Sequence, residues 1–170
     1  MFVDEQVQNK QMVFSEATFE KISRIVAELN KRLKARACIF ADMNGYIVNY
    51  SGNQPEFDVH AFTAVAAGSF STAKEMALMV SGKKHFEHVF FEGTDRHVYM
   101  CSVGDDYLMI IVFGQQTPVG FVRLLTHHAV EKLAEYLESL RRSTRQVQSF
   151  IDADFRRKLD HELDRAFGLS

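Results

Sequence analysis

The spacing of apolar and polar residues divides the chain into segments of changing period. After Ser15, a residue suited to cap a helix, Phe19, Ile22, Val26, Leu29 and Leu33 recur at three- and four-residue steps. This predicts an amphipathic helix whose late cations, Lys31 and Lys34, complement its dipole. Ala37 to Asp42 then forms a nearly continuous apolar run, too short for a helix, which reads as a strand covered on both faces. Asn44-Gly45 tolerates the positive φ values of a tight hairpin, and Tyr46 to Tyr50 supplies the returning strand. Gly52 to Phe57 reads as a loop, and Asp58 caps a second helix running to about Val80, where Ser81-Gly82 stops it. Phe86 to Phe91, Val98 to Val103 and Tyr107 to Phe113 follow as three strands, separated by turn-like Glu92-Gly93-Thr94-Asp95 and Gly104-Asp105-Asp106. Such short connections force an antiparallel meander, with the very apolar Leu108 to Phe113 run central and the strand carrying His85, Glu87 and His88 at an edge. Thr117 caps a third helix with Pro118 in its first turn, and Phe121, Leu124, Leu125, Ala129, Leu133, Tyr136 and Leu140 keep helical spacing.

The second helix is unusual in its side chains. Ala61, Ala64, Ala66, Ala67, Gly68, Ser69, Ser71, Thr72 and Ala73 line much of its circumference with small groups, a surface that lets another backbone approach closely. Gly68 costs about 1 kcal/mol relative to alanine inside a helix, so a partner helix or a tight seat on the sheet would be a reason to keep it. Phe62, Val65, Met76 and Met79 are the expected anchors on the sheet side.

Composition adds few constraints. The 170 residues fit a module over 15–140, preceded by a tail at 1–14 and followed by an extension at 141–170, with 20 basic against 22 acidic side chains. That balance does not point to nucleic acid, which needs clustered Lys and Arg, and no apolar run nears the ~18 residues of a membrane span. Met1 to Met12 lacks the basic start and apolar run of a signal peptide, so a cytoplasmic location is expected. Cys38 and Cys101 sit in apolar runs and read as reduced core thiols. The extension holds 7 basic against 5 acidic residues, and its Phe150, Ile151, Phe155, Leu159, Leu163 and Phe167 predict a separate amphipathic helix. Phe155, Leu159 and Leu163 are its candidate contacts; the module, a second copy, a partner protein or an anionic membrane surface could cover them, with interleaved acids arguing against the last.

Catalytic signatures are missing from the sequence. It contains no phosphate loop, no dinucleotide fingerprint, no His-Glu-x-x-His and no nucleophile elbow. His85 and His88 would point to opposite faces of a strand, and His127 and His128 diverge by about 100° on a helix, so neither pair chelates unaided. A metal hydrolase built on His127, His128 and His161 stands as an alternative that stoichiometric metal would revive; otherwise no cofactor and no active site of its own are expected.

The order helix, strand, Asp42-Met43-Asn44-Gly45-Tyr46-Ile47-Val48 hairpin, small-residue helix, three-strand meander and closing helix resembles the roadblock fold. That family includes the dynein light chain of the same name, and the chain's length and extended C-terminal helix are most similar to its bacterial MglB members. The likeness spans about Phe14 to Leu140. It implies a five-stranded antiparallel sheet with helices on both faces, ordered α-β-β-α-β-β-β-α, followed by the C-terminal helical extension. It also implies a homodimer formed by the edge strand and the second helix, for which Phe86, His88, Phe90, Ala73 and Met76 are the candidate interface. MglB-like dimers bind a GTP-loaded Ras-like GTPase of the MglA type and stimulate hydrolysis by positioning its switch loops, without inserting an arginine. Ala64, Ala67, Gly68, Ser71 and Thr72, with Phe70 and Glu75 nearby, are the residues this implies for the GTPase contact. Arg96 is the arginine to suspect should a finger exist. The competing class is a roadblock scaffold that assembles a GTPase or motor complex without changing any rate.

Overall fold

In the computed structural model, which describes residues 14–53, 56–82 and 86–167 and side chains through Leu159, helix α1 (Glu16–Leu33) opens at Ser15. The Ser15 hydroxyl accepts from the Thr18 amide at 3.3 Å, and Lys34 closes the helix in the left-handed region at φ 49°. Its buried stripe is Thr18, Ile22, Val26, Leu29 and Leu33. Phe19, expected in that stripe, is exposed, because Thr18 takes the inward position and bonds Ser15 and the Tyr136 hydroxyl.

Strand β1 (Ala37–Asp42) is buried along nearly its whole length, as its unbroken apolar run requires. It pairs antiparallel with β2 (Ile47–Gly52) on one side and β5 (Tyr107–Gly114) on the other. Beyond β5 lie β4 (Arg96–Val103) and then β3 (Val89–Phe91), giving the sheet order β2-β1-β5-β4-β3. The most apolar strand, β5, is central and wholly buried. β3 is the expected edge strand but spans three residues, so Phe86 and His88 precede it rather than belong to it.

The two sheet faces hold separate cores. Cys38, Phe40, Tyr99, Cys101, Met109, Ile111 and Phe113 pack under α1 and under α3 (Val119–Phe167). Ile39, Ala41, Met100, Leu108, Ile110 and Val112 pack under α2 (Val59–Ser81). Alternation along each strand makes this sorting automatic.

Three further details depart from expectation. The β1–β2 loop is four residues long, and only Gly45, at φ 89°, is left-handed. Asp42 shapes it, its Oδ1 accepting from the amides of Asn44 and Tyr46 at 2.9 Å each. Thr117 does not cap α3 with its side chain; the hydroxyl donates to the Leu33 carbonyl at 3.3 Å and ties the end of α1 to the start of α3. Finally, the extension is not a separate helix: α3 runs unbroken for 49 residues. Within its first half the buried positions are Val122, Leu125, Thr126, Ala129, Leu133 and Leu137, while Phe121 and Leu124 face outward.

Candidate functional site

The small residues of α2 divide into groups with different reasons for being small. Asp58 caps the helix, its carboxylate accepting from the amides of His60 and Ala61, and Gly82 ends it at φ 68°. Thr63, Ala66, Ala67, Phe70 and Ala77 face the sheet. Small side chains there let the helix axis come close to the strands, with the Phe70 ring filling the space they leave. Ala67 is 3% exposed, so it leaves the candidate partner surface, as does Phe70. Val65, Met76 and Met79, expected as sheet anchors, instead point away from it. The helix is turned so that the alanines seat it, and among the expected anchors only Phe62 contributes to this core, from a partly buried position.

Ala64 is exposed, yet its backbone supports the β1–β2 hairpin. A methyl group on Gly45 would lie 2.7 Å from the Ala64 Cα and 3.3 Å from the Thr63 carbonyl oxygen. The hairpin glycine is therefore needed twice, for its positive φ and for this close approach.

Gly68 differs from both groups. A methyl group added there would meet nothing within 4 Å. Neither the sheet nor any described neighbour explains a glycine in the middle of this helix, where it lowers helix stability by about 1 kcal/mol. Around it lie Ser71, Thr72 and Glu75, none of them buried. The Thr72 hydroxyl donates back to the Gly68 carbonyl at 3.0 Å, so it adds little polarity to the surface. Val65, Met76, Met79 and Val80, 55–84% exposed, complete an outward face rich in apolar groups.

The expected dimer residues have different surroundings. Met76 is exposed and Ala73 half-buried. Phe90 turns inward against Phe113 and His97, and His88 stacks on Tyr99 at 5.2 Å. Burial holds the His88 imidazole below its usual range, with the Arg123 guanidinium adding to the effect. Phe86 is half-buried. Sequence reasoning missed Phe91: it alternates onto the same sheet face as Val89, the α2 side, and is 49% exposed on the open edge. Its place at the end of a three-residue strand left no periodic signal.

The remaining titratable groups are engaged elsewhere. Arg96 is the first residue of β4 and is paired with Glu56, whose carboxyl it holds below the usual range. His127 and His128 both lean on Glu131, at 3.3 and 4.0 Å, and His161 lies outside the described side chains. Among the described residues no group of three or more His, Cys, Asp or Glu gathers as a metal site. Cys38 and Cys101 are free and buried, and burial pushes the Cys101 thiol up to about 12 and the Cys38 thiol higher still. Phe155 and Leu159 are exposed on the extension, while the side chain of Leu163 is outside the described set. Among the described residues no helix is long and apolar enough to cross a membrane.

Comparison with known proteins agrees with this architecture. The family model of the Roadblock/LC7 domain matches residues 21–113, from within α1 to the end of β5. The structure of Myxococcus xanthus MglB is similar at TM-score 0.70 and 28% identity, covering 76% of this chain and 96% of that one. The gliding protein MglB of Thermus thermophilus is similar at TM-score 0.69 and 22% identity, covering 76% and 97%. An uncharacterized protein of Aquifex aeolicus is 22% identical over 149 residues, 87% of this chain and 92% of its own length.

Proposed function

This chain belongs to the Roadblock/LC7 family, and we propose that it works as a homodimeric regulator of a Ras-like small GTPase of the MglA type. The observation that carries the reading is Gly68. A helix glycine with open space around its Cβ position, set among Ser71 and Thr72 on an outward face, suits close approach by a second protein. The adjacent Met76, Met79 and Val80 and the open β3 edge at Phe91 suit two-fold pairing of α2 and β3, which would cover the exposed edge. On this reading the regulator binds the GTP form and places the switch loops for hydrolysis. On this reading the protein inserts no arginine; Arg96, the finger candidate, is paired with Glu56 instead.

The test is single-turnover GTP hydrolysis by the cognate Ras-like GTPase with and without this protein. Acceleration of at least about tenfold, saturating near two regulator chains per GTPase, is the expected result; completing a GTPase site in trans is worth about 10³–10⁵ elsewhere. Binding without acceleration makes the protein a scaffold, and no binding refutes the reading. Gly68→Arg, which meets no internal neighbour, should abolish GTPase binding and leave the fold intact. Ala64→Arg is the poorer probe, because its neighbourhood also seats Gly45.

A further inference from the structure

The edge strand β3 is three residues long, so its backbone pairing with β4 is slight and side chains must help to hold it. Two histidines do so, one on either side of it. His88 leads into the strand and stacks on Tyr99 of β4 at 5.2 Å, facing Arg123 of α3 and its own neighbour Glu87. Glu87 is itself paired with Arg123 at 3.3 Å. His97, the second residue of β4, is 9% exposed, its ring 5.8 Å from that of Phe90 of β3 and 5.3 Å from that of Phe113 of β5. Its Nδ1 accepts from the Gly93 amide at 3.2 Å and so closes the turn that joins β3 to β4. The charged residues of that turn are the exposed Glu92 and Asp95, followed by Arg96, which is paired with Glu56.

Both contacts call for a neutral imidazole. An Nδ1 that accepts a hydrogen bond carries no proton, and a protonated His97 would turn a second donor toward the Gly93 N–H and leave that amide unpaired. A protonated His88 would give up water against Tyr99 and face the Arg123 guanidinium, an unfavourable pair that Glu87 offsets only in part. We propose that the β3–β4 hairpin is an acid-sensitive edge, closed by neutral His88 and His97 and opened when both take up protons. Burial first, and then Arg123, hold the His88 imidazole below its ordinary value of 6.5. A group lowered in this way contributes fully above that value and loses its contribution as pH falls below it, so the opening belongs to the mildly acidic side. Release of β3 would also withdraw Phe91 from two-fold pairing; that consequence rests on the reading above, whereas the opening itself does not.

About one pH unit below the ordinary imidazole value, each site that closes only when neutral favours the open hairpin by up to about tenfold. Hydrogen exchange of the full chain, dilute enough to suppress association and corrected for the intrinsic effect of pH, reads this directly. Between about pH 7.5 and about pH 5.5, β3 and the Gly93 amide should lose about tenfold in protection while β1 and β5 hold theirs. Equal protection of β3 at both values would overturn the proposal, as would a loss shared by β1 and β5. His88→Phe keeps a ring on Tyr99 and His97→Asn keeps an acceptor for the Gly93 amide, yet neither replacement takes up a proton. The chain carrying both should keep β3 closed in acid, and an acid loss equal to that of the unaltered chain would refute the assignment. If that variant is open at both values, the nitrogen chemical shift of His97 in the unaltered chain decides: an Nδ1 that gains its proton as β3 opens supports the device, and one already protonated at about pH 7.5 overturns it.

Discussion

Replacing Gly45 with alanine should incur two costs that are both absent at Gly68, where the same substitution should act in reverse. At Gly45 the new methyl group meets the Ala64 Cα at 2.7 Å and the Ala64 nitrogen at 3.2 Å, both backbone atoms of α2 that cannot rotate away. Holding alanine at φ 89° costs about 1–2 kcal/mol, and forcing the hairpin off α2 costs about 1–3 kcal/mol more. The sum, about 2–5 kcal/mol, is a large share of the roughly 5–15 kcal/mol that holds a domain folded. It should lower Tm by about 5–15 °C in a chain of this length. At Gly68 the methyl group meets nothing within 4 Å, so Gly68→Ala should stabilise the dilute monomer by up to about 1 kcal/mol through helix propensity alone. Thermal unfolding followed by circular dichroism, at chain concentrations low enough to suppress association, reads both. An unchanged Tm for Gly45→Ala would mean that the hairpin is not seated on α2. A lowered Tm for Gly68→Ala would mean that the outward face is packed within the monomer, removing the main support for a docking surface there.

Thr117→Val keeps the shape of the side chain but leaves the Leu33 carbonyl without its 3.3 Å donor; urea unfolding should show a loss of about 1–3 kcal/mol, and a neutral result would deny the link between α1 and α3. The buried thiols predict a pH limit. A group whose folded pKa is raised keeps its contribution below its unfolded value and loses it as pH rises toward the folded one, so stability should start to fall above pH 9.0, toward about 12 for Cys101. Denaturant unfolding at about pH 8 to 11 should show that slope, and a Cys38→Ala, Cys101→Ala chain with the same slope would contradict the assignment.

Element types and order were legible in the sequence because each strand or helix carried its own period or terminator. β5 read as central from Leu108 to Phe113 alone, and Asp58 and Gly82 bounded α2 correctly. What the sequence could not convey was the rotation of helices about their axes. Phe19, Val65, Met76, Phe121 and Leu124 are apolar at helical spacing, yet each is exposed while a smaller or neighbouring residue takes the buried position. On α2 most of the expected anchors are inverted: Ala66, Ala67 and Ala77 are buried while Val65, Met76 and Met79 face outward, and only Phe62 of the four reaches the core. Period identifies a stripe, but when half the circumference is small or apolar it does not identify which stripe faces the core. The reason for each small residue was equally hidden, since Ala64 answers to Gly45 in another element and Gly68 to no described neighbour.

The reading of a separate helix after Leu140 failed for a different physical reason, and the failure bears on function. The shift from apolar to charged composition after Leu140 suggested a break, but a helix stops most readily at a glycine or a proline, and neither lies between Phe121 and Phe167. Ion pairs at four-residue spacing, Arg142 with Glu138 and Lys158 with Asp154, suit continuation of the helix. Arg141 also pairs with Asp106 of the β4–β5 turn, so the helix is held to the body just where its apolar core contacts end. The extension therefore inherits its direction from the seat of α3 on α1 and the sheet. A partner that grips Val147 to Leu159 is presented with a helix whose axis is fixed by the core, whereas a flexible joint after Leu140 would have left that axis free and made binding there entropically more costly.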